Sequence, residues 1–128
     1  MVVEDEILVA LDLVATLEHL GHDIAGIAPD MSKAITLAGS GADLALIDLN
    51  LRDGLTGPQI AMRLSERQIS VLFVTANPRL LGEGVAGTIG VITKPTDHAV
   101  VEAAVNYALG VRRGAPPQIV PKGLRLFG

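Results

Sequence analysis

The chain has 128 residues, 49% of them hydrophobic, which is enough for one domain with a genuine core and too apolar for a disordered body. Its net charge of −4 gives no general attraction to nucleic acid, and the lack of cysteine excludes disulfides and thiolate metal sites. The opening Met1-Val-Val-Glu-Asp-Glu has no signal-peptide pattern, and no apolar run could cross a bilayer, so a soluble cytoplasmic protein with no membrane partner is the expectation.

Met1–Val3 reads as a very short strand, followed by the acids Glu4, Asp5 and Glu6. From Ile7 the spacing turns helical, with two candidate faces: Leu8, Leu11, Ala15 and Glu18, or Leu13, Val14, Leu17 and Leu20. Gly21 is a good stop for it. Asp23–Ala28 reads as a second strand, and Asp30 as the cap of a helix over Met31–Ala38. Leu44–Asp48 is apolar without a break until Asp48, the pattern of a parallel strand buried on both faces. A helix with Pro58 at its first position then runs to about Arg67.

Val71–Thr75 is a fourth strand that stops at a hydroxyl. Ala76–Thr88, with Pro78, Gly82, Gly84 and Gly87, predicts one short helical turn inside a mobile loop, so the fourth helix is eroded. Ile89–Thr93 is a fifth strand. Thr96 then caps a last helix carrying Val100, Ala104, Tyr107 and Ala108 and ending near Gly110. Residues 1–110 thus alternate strand and helix, which predicts an α/β fold with a doubly wound parallel sheet. Residues 111–128 form a basic, Pro/Gly-containing tail with Arg112, Arg113, Lys122 and Arg125. It reads as solvated, or else as docking Leu124, Leu126 and Phe127 on the body or on a partner.

In such a sheet the carboxyl ends of the strands share one edge, where open α/β folds keep their ligands. That edge collects Glu4 and Asp5, Asp48, Thr75 and Lys94. Three carboxylates close together repel, and a hard divalent cation, Mg²⁺, is the natural resolution. A transferring phosphoryl group needs positive charge and donors at its oxygens, and a metal, Lys94 and Thr75 supply them. Asp48 is then the nucleophile and forms an aspartyl phosphate.

Val2-Val-Glu-Asp-Glu6, Leu46-Ile-Asp48 with Gly54 after it, Val74-Thr-Ala76 and Thr93-Lys-Pro95 resemble the receiver domain of two-component response regulators. The resemblance covers about Val2 to Leu109 and implies the flavodoxin-like (βα)5 sheet with strand order 2-1-3-4-5. It implies Asp48 as phosphoacceptor, and Glu4 and Asp5 as the acidic pair with Asp5 the direct Mg²⁺ ligand. The main-chain carbonyl of Asn50 would be a further ligand, and Thr75 and Lys94 the phosphate-sensing pair. A cis Lys94–Pro95 bond is expected, and Asn50 and Asn77 occupy positions resembling those that tune phosphoryl lifetime. The Phe73–Pro78 run is similar to alphaproteobacterial stand-alone receivers and to the receiver halves of stress regulators.

Three features depart from the family pattern. Only Met1–Val3 precede the acids, where a longer first strand is usual. Val91 stands where a switching Tyr or Phe is common, and Thr96 where Phe often follows Lys-Pro. The implied function is a single-domain response regulator that takes phosphate from a histidine kinase or phosphotransfer protein and signals to a downstream protein, or acts as a phosphate sink. No dedicated turnover enzyme is expected. Too little chain follows Gly110 for a DNA-binding domain, so no direct DNA contact is expected either. The alternative is a pseudo-receiver that binds proteins without phosphorylation. An ordinary phosphatase or nucleotide-binding enzyme is disfavoured, because no Gly-rich phosphate loop follows the first strand.

Overall fold

Leu44–Ile47 forms a strand, β3, buried on both sides of a sheet, as an apolar run without a polar break requires. In this computed structural model, which describes residues 1–127, Ala45 and Ile47 enter one apolar cluster and Leu46 the other. Before β3 come β1 (Val2–Val3), α1 (Ile7–His19), β2 (Ile27–Ala28) and α2 (Met31–Ala38). After it come α3 (Gly57–Glu66), β4 (Ser70–Thr75), a 3-10 turn (Pro78–Leu81), β5 (Gly90–Thr93), α4 (His98–Arg112) and β6 (Leu124–Leu126).

The sheet order is β2-β1-β3-β4-β5-β6, with β6 antiparallel to β5 and every other pairing parallel. This is the predicted 2-1-3-4-5 order with one strand added at the edge. One cluster packs Ala34, Ala38, Ile60, Ala61 and Leu64 of α2 and α3 under the sheet. The other packs Ala10, Leu13, Leu17, Val101, Ala104, Val105 and Ala108 of α1 and α4 over it. Helix α1 therefore buries the second of its two candidate faces, and Ile7, Leu8 and Leu11 stay exposed.

Several local expectations change. The second strand shrinks from Asp23–Ala28 to Ile27–Ala28, because β1 offers only Val2 and Val3 for pairing. The Val2 amide reaches the Gly26 carbonyl at 3.1 Å, and the ladder ends there. Asp97, not Thr96, caps α4: its carboxylate accepts the Val100 amide at 2.9 Å. Asp caps at least as well as Thr and here sits in the extended conformation that a cap needs. The eroded fourth helix is the 3-10 turn, closed by Gly82 at φ +52°. The tail is not wholly solvated, since Leu124–Leu126 hydrogen-bonds to β5; Gly128 lies outside the described residues.

Candidate functional site

Register fixes where the chemistry stands. Val3 pairs with Ile47, Ile47 with Phe73 and Phe73 with Val91, so β1, β3, β4 and β5 end at one edge. The next backbone bonds hold the site residues there: Glu4 N–H to the Ala28 carbonyl at 2.9 Å, Asp48 N–H to Val3 at 2.9 Å, and Lys94 N–H to Thr75 at 2.8 Å.

Lys94 is the centre of the cluster. Its Nζ donates to Glu4 Oε1 at 2.5 Å and to Asp48 Oδ2 at 2.9 Å. Glu4 is 2% exposed, Asp48 14% and Lys94 19%, so the Glu4 charge is out of water and the other two are largely so. The second Glu4 oxygen accepts the Asp5 and Glu6 amides, at 3.1 and 3.4 Å. Burial raises the Glu4 pKa; Lys94 pulls it back down, and the Asp48 carboxylate adds to the rise. Burial alone would lower the Lys94 pKa, but its hydrogen bonds to Glu4 and Asp48 outweigh that and leave it raised.

Asp48 Oδ1 accepts the Leu49 amide at 2.7 Å, which orients the carboxylate. Thr75 is buried, and its Oγ1 accepts the Asn77 amide at 3.1 Å, leaving the hydroxyl proton to donate. The Lys94–Pro95 bond is cis. Asp5 and Asn50 are exposed. Among the described residues no three acidic or histidine side chains form a group able to hold a metal. Lys94 bridges Glu4 and Asp48, and both Glu4 oxygens are engaged. The Asp48 oxygens are also engaged, by the Leu49 amide and Lys94, but each keeps a further lone pair, and with the exposed Asp5 carboxylate and the Asn50 carbonyl they make up the oxygens that could meet a cation. That all-oxygen set fits Mg²⁺, which keeps several waters and needs only one or two carboxylates.

The sequence did not single out what holds the loop after Asp48. Arg52 pairs with Asp30, which also caps α2 by accepting the Lys33 amide at 3.0 Å. Asp53 accepts the Met31 amide at 3.0 Å and the Thr56 hydroxyl at 2.6 Å. Gly57 lies so close to the Asp48 backbone that a Cβ there would stand 2.3 Å from the Asp48 carbonyl oxygen. Of these, only the Asp30 cap and the start of α3 carried a recognisable signal. The three histidines stay away from the site; His98 hydrogen-bonds Thr16 and lies 3.4 Å from Asp12.

The family model of the response regulator receiver domain matches residues 1–106. The chain belongs to that family. This receiver is similar to the phyllosphere-induced regulator PhyR of Methylorubrum extorquens, with 34% identity over 120 residues, 90% of this chain and 45% of the relative. Among solved structures it is similar to the PhyR receiver domain of Erythrobacter litoralis, with TM-score 0.79 and 29% identity over 92% of this chain and 95% of that one. PhyR of Brucella abortus matches with TM-score 0.79 and 31% identity over 89% of this chain and 48% of its own. The receiver thus spans about half the length of the whole PhyR proteins it matches. No helix among the described residues is long and apolar enough to cross a membrane.

Proposed function

We propose that Asp48 accepts a phosphoryl group from a phosphohistidine of a kinase or phosphotransfer protein, and that this event sets how the receiver contacts a downstream protein. The observation that carries the reading is Lys94 Nζ at 2.9 Å from Asp48 Oδ2, a cation already placed where the charge develops. An Asp48 oxygen attacks phosphorus, a P–O bond forms and the donor's P–N bond breaks. The leaving imidazole takes a proton. Lys94 stays bound to Glu4 and meets one phosphoryl oxygen, and the Thr75 hydroxyl donates to another. Asp5, Asp48 and the Asn50 carbonyl would hold Mg²⁺, which when bound offsets the phosphoryl charge.

A regulator of this kind works in the cytoplasm, where its donors are. PhyR of Bartonella quintana is an anti-anti-sigma factor. Because this chain matches only about half of such proteins, a protein partner for the phosphorylated receiver is the part carried over here. A phosphate sink is the variant of the same chemistry without a partner. The second reading, a pseudo-receiver that only binds proteins, is favoured by Val91 in place of a switching aromatic.

Transfer from donors labelled on histidine separates the two. The proposed function predicts label on the wild-type chain and none on Asp48→Ala. Equal labelling of both, or of neither by any donor, contradicts it.

A further inference from the structure

Arg52 carries a charge that the proposed transfer leaves unused. Its side chain is 67% exposed, and among the described residues its one ion pair is with Asp30. An ion pair this exposed adds little to stability, so its consequence lies in where it holds the guanidinium. Asp30 is itself held in place: Oδ1 accepts the Lys33 amide at 3.0 Å as the cap of α2, and Oδ2 takes Arg52. The Arg52 amide donates to the Pro29 carbonyl at 3.2 Å and the Met31 amide to Asp53 Oδ2 at 3.0 Å, which clasps the two loops together.

Two other carboxylates act on the same guanidinium. The hydrogen bond to Asp30 does most to raise the Arg52 pKa, and the charges of Asp53 and Asp5 add to the rise. Asp53 is committed, with Oδ1 on the Thr56 hydroxyl at 2.6 Å and Oδ2 on the Met31 amide. Asp5 is not: among the described residues it bonds through its amide alone, and its carboxylate is exposed without a partner. A guanidinium released from Asp30 therefore has one open carboxylate in its field, and Arg commonly grips a carboxylate by both oxygens. Those oxygens belong to one of the groups placed to meet a cation.

We propose that Asp30 is a positioning residue of the phosphoryl-transfer site: it parks Arg52 and so keeps the Asp5 carboxylate open to a divalent cation. This rests on the reading of Asp5 and Asp48 as ligands of Mg²⁺. Without the Asp30 charge, Arg52 turns to Asp5, and the cation binds only by displacing it.

The test reads Mg²⁺ binding to the full chain by calorimetry, with no phosphodonor present. Wild type, Asp30→Asn, Arg52→Gln and the double variant are compared. Asn caps a helix as well as Asp does, so Asp30→Asn removes the charge and leaves α2 its acceptor. If that chain does not fold by circular dichroism, Asp30→Ser, another good cap, takes its place. Asp30→Asn is expected to weaken Mg²⁺ binding at least about fivefold. With Arg52→Gln already in place, the same change is expected to alter it by less than about twofold. An equal loss in both backgrounds, the result of a weaker field or a damaged helix start, overturns the proposal. So does an Asp30→Asn chain with wild-type affinity, and in both cases the reading of the cation site stands. A wild-type chain that binds no Mg²⁺ overturns that reading and the proposal with it.

Discussion

Lys94 decides the electrostatics of the site at the scale of single residues. It is the cation that lets Glu4, 2% exposed, stay beside Asp48. Lys94→Met leaves that buried carboxylate without its partner and is expected to cost about 3 kcal/mol in urea unfolding. Adding Glu4→Gln should restore most of the loss, since the amide keeps the hydrogen bonds without the charge; additive losses would show that the pair is not coupled. A pH dependence follows from the same burial. Glu4 binds its proton more tightly folded than unfolded, so its contribution to stability is lost as pH rises from its ordinary value of 4.5 through the raised one. Unfolding measured across that window should show wild type falling relative to Glu4→Gln, and parallel curves would contradict this. Lys94 has the same sign at a higher window: its contribution is lost only above its ordinary value of 10.5.

At the scale of elements, the loop after Asp48 and the start of α3 form a tight frame. Gly57 donates its amide to the Leu49 carbonyl at 3.1 Å, with no room for a side chain against Asp48 and Leu49. Gly57→Ala is expected to destabilise by about 1–3 kcal/mol and to shift the Asp48 amide resonance; a wild-type melting curve and spectrum would contradict the frame. The strands were legible from apolar runs, and β3 most clearly, because burial on both faces leaves no other composition. The α3 start was readable from Pro58, but the reason for Gly57 was not, since it depends on a backbone about ten positions away in sequence coming close in space. The β6 strand was least legible. Leu124–Leu126 is three residues long and lies against β5 where Gly90 leaves room for the Arg125 backbone, with Gly84 doing the same for the Phe127 ring, a complementarity between distant positions that no local pattern carries.

For the whole molecule, the parallel register turns strand order into a site. Glu4, Asp48, Thr75 and Lys94 are distant in sequence, yet each follows or ends a strand whose carboxyl end meets the others. That much could be read before any coordinates, because alternation of strand and helix dictates where the ends go. Which carboxylates Lys94 grips, Glu4 at 2.5 Å and Asp48 at 2.9 Å, could not, since side-chain reach within the edge is not written in spacing. The central claim is that Asp48 is a phosphoacceptor poised by Lys94. It is tested most directly by exposing the full chain to acetyl phosphate and Mg²⁺ and reading its intact mass. The account predicts one added phosphoryl group on wild type, lost when Mg²⁺ is chelated beforehand and lost in Asp48→Ala. An unmodified wild-type chain, or an Asp48→Ala chain that gains the same mass, would contradict it.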